Sequence, residues 1–159
     1  MQHEAMMTSL KAIKLYGMAQ AIDELARQDS PAYRNAQEML GTLIKAEMAE
    51  REVRSISYQM KVARFPAYRD LSSFDFSQSE ANEALVRQLH RCEFLDQAHN
   101  VVLVGDPGTG KTHLATAFGV QAVQHQHRRV RFFSTIELVN TLELEKAAGK
   151  QGQLASRMI

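Results

Sequence analysis

The sequence predicts an α/β protein in two parts: an all-helical N-terminal domain, then the first part of a P-loop parallel-sheet core that is incomplete. Three observations predict it. Residues up to about 65 place apolar side chains at helical spacing. From residue 100 on, two short runs rich in β-branched and aromatic residues, NVVLVG (100–105) and RVRFFS (129–134), alternate with helical stretches, which is the order of a parallel sheet with crossover helices. Between the first run and its helix lies GDPGTGKT, Gly105 to Thr112.

The first helix is expected over residues 5–28, from Leu10, Ile13, Leu15, Met18, Ile22 and Leu25. Gly17 weakens it by about 1 kcal/mol relative to alanine and marks a place for a bend. At Asp29–Ser30–Pro31 the chain stops and restarts, because serine caps a helix and proline suits its first position. The second helix, from Ala32 to Phe65, is long, with Met39, Leu40, Leu43 and Ile44 and then Ala49, Val53, Ile56 and Met60 as its apolar stripe. Pro66 ends it by pushing Phe65 out of the α region. Residues 66–78 show no period and read as a linker, in which Phe74 and Phe76 must dock either as core anchors or against a nucleotide's base. Ser79 is placed to cap a helix from Glu80 to about Gln97. After the loop, a helix runs from Lys111 to about His125. The second strand leads into Ser134–Glu137, STIE, a capping box that opens a helix to about Ala148, with Gly149 placed to end it. The last ten residues begin another helix. The domains are therefore expected at 1–70, with a linker at 71–78 and the core at 79–159.

Bulk composition excludes several classes. The chain has 159 residues, 45% apolar and 23% charged, with a formal net charge of +1, so any basic surface must be local. The single cysteine, Cys92, forms no internal disulfide and reads as a small buried apolar residue, which fits a reducing cytosol. The N-terminal stretch carries Lys11 and Lys14 and lacks a signal-peptide core, and no run of apolar residues is long enough to span a membrane.

The loop fills every fixed position of G-x-x-x-x-G-K-[ST]. A triphosphate concentrates negative charge, and such a loop answers with inward backbone N–H groups and the positive end of the following helix. Gly105, Asp106, Pro107, Gly108, Thr109 and Gly110 form the cradle, with Gly108 and Gly110 permitting the unusual backbone angles. Lys111 reaches the β- and γ-phosphates, and the Thr112 hydroxyl is placed to bind Mg²⁺. A strand before the loop and an apolar helix after it (Leu114, Ala115, Ala117, Phe118, Ala122) supply the context that the motif requires. What P-loop hydrolysis needs next is an aspartate at the end of another strand. After Asp106 there is no aspartate, and the remaining acids, Glu137, Glu143 and Glu145, all fall on the predicted third helix of the core. Binding of ATP with Mg²⁺ and without efficient hydrolysis is the expectation.

The whole pattern resembles the IstB family, the ATP-binding helpers of insertion-sequence transposases, related to DnaC-type helicase loaders among the AAA+ ATPases. LKAIKLYGMAQA (10–21), KAEMAEREVRS (45–55), KVARFP, SFDF, NVVLVGDPGTGKTHLA with His113 directly after the threonine, and RVRFFSTIELVNTL carry the resemblance. It implies a helical N-terminal domain on a AAA+ core and ATP-dependent assembly on DNA. Its implied partners are DNA, the transposase of the same element and further copies of the chain. It also implies an acidic strand, sensor residues and an arginine finger that are not found here. The chain is therefore expected to be an N-terminal fragment in which hydrolysis and self-association are impaired. The alternative is a helicase-loader-like or DNA- or protein-interaction module without nucleotide-dependent activity, or a C-terminal half too incomplete to fold firmly.

Arg51, Arg54, Lys61 and Arg64 fall within about 140° of one another on a helix. This stripe reads either as a solvated face or as a contact for DNA phosphates. His125 and His127 read as surface residues of a turn rather than as metal ligands, and His113 as a packing residue beside the nucleotide or as a proton-transfer group.

Overall fold

The structure is a computed structural model that describes residues 3–28 and 30–158, without the side chains of residues 157 and 158. Asp29, part of the stop signal above, lies outside the described residues. The chain divides into two compact units, Met1–Ser57 and Tyr58–Ile159.

In the first unit the predicted 5–28 helix is two helices, α1 (His3–Ala12) and α2 (Tyr16–Arg27). The break falls at Lys14 (φ +61°) rather than at Gly17. Its cause is a Schellman closure: the Leu15 N–H donates to Leu10 O (2.9 Å) and the Lys14 N–H to Lys11 O (3.0 Å). This turn lets Ile13 and Leu15 reach the same core as Leu10. That core joins Met6, Leu10 and Ile13 with Ala19 and Ile22 of α2, and with Tyr33 and Ile44 of α3 (Pro31–Ala63). The α3 stripe is buried only in part, because Met39, Leu43 and Val53 are exposed while Ile44 is 4% exposed.

In the second unit α3 stops two residues before the predicted end, with Arg64 in a left-handed conformation (φ +55°). Two 3₁₀ turns follow, Leu71–Ser73 and Phe76–Gln78, and each is fixed by an aspartate. Asp70 accepts the Ser73 N–H and Asp75 the Ser77 N–H, both at 2.9 Å. Helix α4 (Glu83–His90) is shorter than predicted at both ends. Asn82, not Ser79, caps it by accepting the Leu85 N–H at 3.0 Å, and Cys92 (φ +61°) turns the chain away after His90. Cys92 is buried as expected, but lies just beyond the helix. Helices α5 (Lys111–Gln124) and α6 (Thr135–Ala147) match the prediction closely, and α7 (Gln153–Met158) is the short last helix. The Ser134 hydroxyl accepts the Glu137 N–H at 3.1 Å, and Gly149 (φ +66°) closes α6 in a second Schellman turn.

The predicted sheet is not formed. Among the described residues neither 100–105 nor 129–134 is a strand, which corrects the α/β expectation. A ladder needs a neighbouring strand for its N–H and C=O groups, and no backbone hydrogen bond joins these two runs to each other. Leu103 packs on the core, whereas Val102 (80% exposed) and Val104 (90%) face away from it. The second run caps α3 instead: Arg131 Nη1 donates to Val62 O (2.7 Å) and the Phe132 N–H to Ala63 O (2.8 Å). These are two of the carbonyls that a helix end leaves without intrahelical partners. The core of this unit gathers Leu114, Ala117 and Phe118 of α5, Val86 of α4 and Leu71, with Phe74 and Phe76 packed against them.

Candidate nucleotide site

The loop from Gly105 leads into α5 through two left-handed glycines, Gly108 (φ +84°) and Gly110 (φ +87°). Gly110 is the residue before the helix and offers no side-chain cap. The first ladder bond of α5 runs from the Leu114 N–H to Gly110 O (2.9 Å). The amides of Lys111, Thr112 and His113 therefore lie ahead of the helix's own hydrogen bonding, where an anion is favoured. Inside the loop the Thr109 hydroxyl donates to Asp106 O (2.8 Å), and Lys111 Nζ donates to the same oxygen (2.6 Å). Lys111 thus has its ammonium folded over the cradle, within reach of whatever the cradle holds.

The linker is built onto this end of α5. The Phe74 ring lies against Gly110, meets Phe76 edge to face (centroids 4.9 Å apart) and meets the His113 ring likewise (5.2 Å). Phe74 and Phe76 dock as core anchors, and the Arg87 guanidinium stands 5.5 Å from the Phe76 ring centre. His113 Nε2–H donates to the Asp70 carbonyl (2.9 Å), with Ser73 Oγ at 3.4 Å. Hydrogen bonds from Ser72, from the Ser73 hydroxyl and from the Ser73 amide hold the Asp70 carboxyl below the usual carboxylate range. Farther along α5, Gly119 gives space to the Phe65 ring, since a Cβ there would stand 2.7 Å from Phe65 Cε1. Neither Asp70 nor Phe65 was legible as a site residue, because each acts through a contact more than 40 residues away in sequence.

The donor set fits an ATP–Mg²⁺ ligand. Backbone amides, Lys111 and the Thr112 hydroxyl suit phosphate oxygens and a hard cation held mainly by those phosphates. Among the described residues no group of three or more His, Cys, Asp or Glu gathers, His125 and His127 included. Glu137, on the helix expected to carry the remaining acids, is paired with Arg64 (3.5 Å) and Arg131 (3.9 Å).

The predicted basic stripe, Arg51, Arg54 and Lys61 on α3 and Arg64 just past its end, is engaged in part by acidic partners. Arg51 is half-buried, donating to Glu47 Oε1 (2.6 Å) and to Ile13 O at the end of α1 (2.5 Å). Its hydrogen bond is the main reason that the Glu47 carboxyl is held below its usual range. Arg54 pairs with Glu50 (3.3 Å) and Arg64 with Glu137, while Lys61 is exposed. Among the described residues no helix is long and apolar enough to cross a membrane.

Comparison with known proteins bears on the same loop. The family model of the IstB-like ATP binding protein matches residues 8–159. A candidate ATP-binding protein of insertion sequence IS21 from Pseudomonas aeruginosa is 35% identical over 134 residues, which is 84% of this chain and 50% of that protein. Its counterpart in IS5376 of Geobacillus stearothermophilus is 31% identical over 142 residues, 89% of this chain and 55% of that protein. An IS21-like counterpart from Bacteroides fragilis (strain YCH46) is 30% identical over 143 residues, covering 87% and 71%. The chain spans about half the length of the first two. With the match running through both units and the loop, the chain belongs to the IstB-like ATP binding protein family.

Proposed function

We propose that this chain binds ATP with Mg²⁺ through Gly105–Thr112 and acts in the cytoplasm as a helper of its element's transposase. The observation that carries the reading is the loop: two left-handed glycines deliver three helix-leading amides and the Lys111 ammonium to one place. Lys111 would neutralise the β- and γ-phosphates and the Thr112 hydroxyl would help hold Mg²⁺, while Asp106, Pro107 and Thr109 shape the turn.

Turnover by this chain is slow in this reading. Hydrolysis requires a base or water-positioning acid opposite the loop. The glutamates beyond the loop lie on α6, and the nearest in sequence, Glu137, is engaged by two arginines. Phosphate release under saturating ATP tests this. A rate no higher than that of Lys111→Ala is expected, and a clear excess of the unaltered chain over that variant contradicts it.

DNA contact is proposed through Arg54, Lys61 and Arg64. The Arg54 and Arg64 ion pairs are exposed and worth about 0–1 kcal/mol, so phosphates can displace them. Arg51 is assigned to holding α1 instead. Family kinship supports contact with the transposase and with further copies of the chain.

A further inference from the structure

Two arginines far apart in sequence, both in the second unit, converge on one carboxylate oxygen. Arg64 Nη1 stands 3.5 Å and Arg131 Nη2 3.9 Å from Glu137 Oε1. Arg64 follows the last residue of α3 in a left-handed backbone (φ +55°), a conformation that a bulky residue adopts at a cost. Arg131 is pinned, because its Nη1 donates to Val62 O (2.7 Å) and its guanidinium stands 5.4 Å from the Phe133 ring centre. Its side chain is 31% exposed, so the charge is held in place and still meets solvent. Lys61, exposed in the last turn of α3, adds a third cation three residues before Arg64.

The carboxylate fills this place loosely. A charge-assisted hydrogen bond closes to about 2.7–2.9 Å, and both contacts here are longer. One oxygen serves both arginines, so neither guanidinium fork is saturated. A phosphate diester carries the same charge on two separate oxygens, and guanidinium forks match phosphate geometry. Glu137 also has a second partner within reach. It stands three residues after the Ser134 cap, where a glutamate can accept the cap residue's own N–H. The Ser134 hydroxyl takes the Glu137 N–H at 3.1 Å, but among the described residues the reciprocal bond is not made. The Glu137 side chain therefore has two berths, the arginine pair and the Ser134 N–H, and moves between them by side-chain rotation alone.

We propose that Arg64 and Arg131 form a site for a backbone phosphate of DNA, and that Glu137 is a latch over it, displaced toward the Ser134 N–H when the phosphate binds. The inference rests on the reading of Lys61 and Arg64 as DNA contacts and adds Arg131 to them. DNA affinity then reflects a competition between two anions for one pair of cations. The carboxylate keeps the pair neutralised until a phosphate replaces it.

The test measures binding of a fluorescent DNA duplex across a salt series. It compares the unaltered chain, Glu137→Gln, Glu143→Gln, and Glu137→Gln combined with Arg64→Gln. Glutamine keeps the length of Glu137 and still accepts the Ser134 N–H. Glu137→Gln is expected to tighten duplex binding about three- to tenfold at low salt and to steepen the slope of log affinity against log salt by about one, as one phosphate contact is gained. Glu143→Gln removes the same charge six residues farther along α6 and leaves affinity and slope unchanged. Adding Arg64→Gln to Glu137→Gln cancels most of the gain. Equal effects of Glu137→Gln and Glu143→Gln overturn the latch, as does a gain that survives Arg64→Gln in full. In those cases the DNA reading stands, because the unaltered chain still binds duplex with a salt-dependent affinity. Inorganic phosphate is titrated into Glu137→Gln by calorimetry. Saturable phosphate binding without tighter duplex binding makes the site one for a free anion and overturns its assignment to DNA. If neither the unaltered chain nor Glu137→Gln binds duplex at low salt, the DNA reading fails and takes the latch with it.

Discussion

Gly110 and Phe74 are complementary surfaces: a Cβ built at residue 110 would stand 2.5 Å from Phe74 Cε2. The contact ties the turn into α5 to a linker residue 36 positions earlier. Gly110→Ala therefore carries two costs, the left-handed backbone at about 1–2 kcal/mol and the displacement of the Phe74 ring. An unfolding free energy in urea lowered by at least the first of these is expected, together with a lower midpoint and weaker ATP binding. An unchanged midpoint contradicts the packing described.

Arg51 holds the end of α1 by donating to Ile13 O while pairing with Glu47. Arg51→Met keeps the stem and removes the donors. A loss of about 1 kcal/mol is expected by chemical denaturation, below the usual worth of a charged hydrogen bond because the side chain is partly exposed. If the arginine serves DNA alone, stability is unaffected and only the salt-dependent affinity for duplex DNA falls.

Much of this molecule is legible where the signal is local. Pro31 opens α3, Ser134 caps α6, Gly149 closes it, and the loop sits between 105 and 112, because each depends on neighbours a few residues away. The second half of the STIE capping box is the exception. Glu137 turns to Arg64 and Arg131, a competition that spacing alone does not reveal. The strands fail for a related reason. The continuous apolar run Val101–Val104 encodes an extended backbone, but a ladder also needs a partner, and the second run spends its Phe132 amide on α3. Within the site, the phosphate loop is readable, whereas Asp70 and Phe65, which reach α5 through contacts distant in sequence, are not.

His90 makes stability depend on pH. Burial is the main cause that lowers its pKa below the ordinary 6.5, helped by His125 and Arg87 and opposed by Asp70. The unfolded chain then binds a proton more readily than the folded one, so this contribution is complete above about pH 6.5 and is lost as pH falls through the lower folded value. Unfolding free energy measured from pH 7.5 to 5 is expected to decline less steeply in His90→Gln. Parallel curves for the two proteins contradict the assignment.

The central claim is that Gly105–Thr112 holds ATP by way of Lys111. Titration calorimetry of ATP–Mg²⁺ into the unaltered chain and into Lys111→Ala tests it most directly. One saturable site is expected in the unaltered chain and no measurable binding in the variant, with both chains equally folded by circular dichroism. Equal affinity in the two, or no binding by the folded unaltered chain, contradicts it.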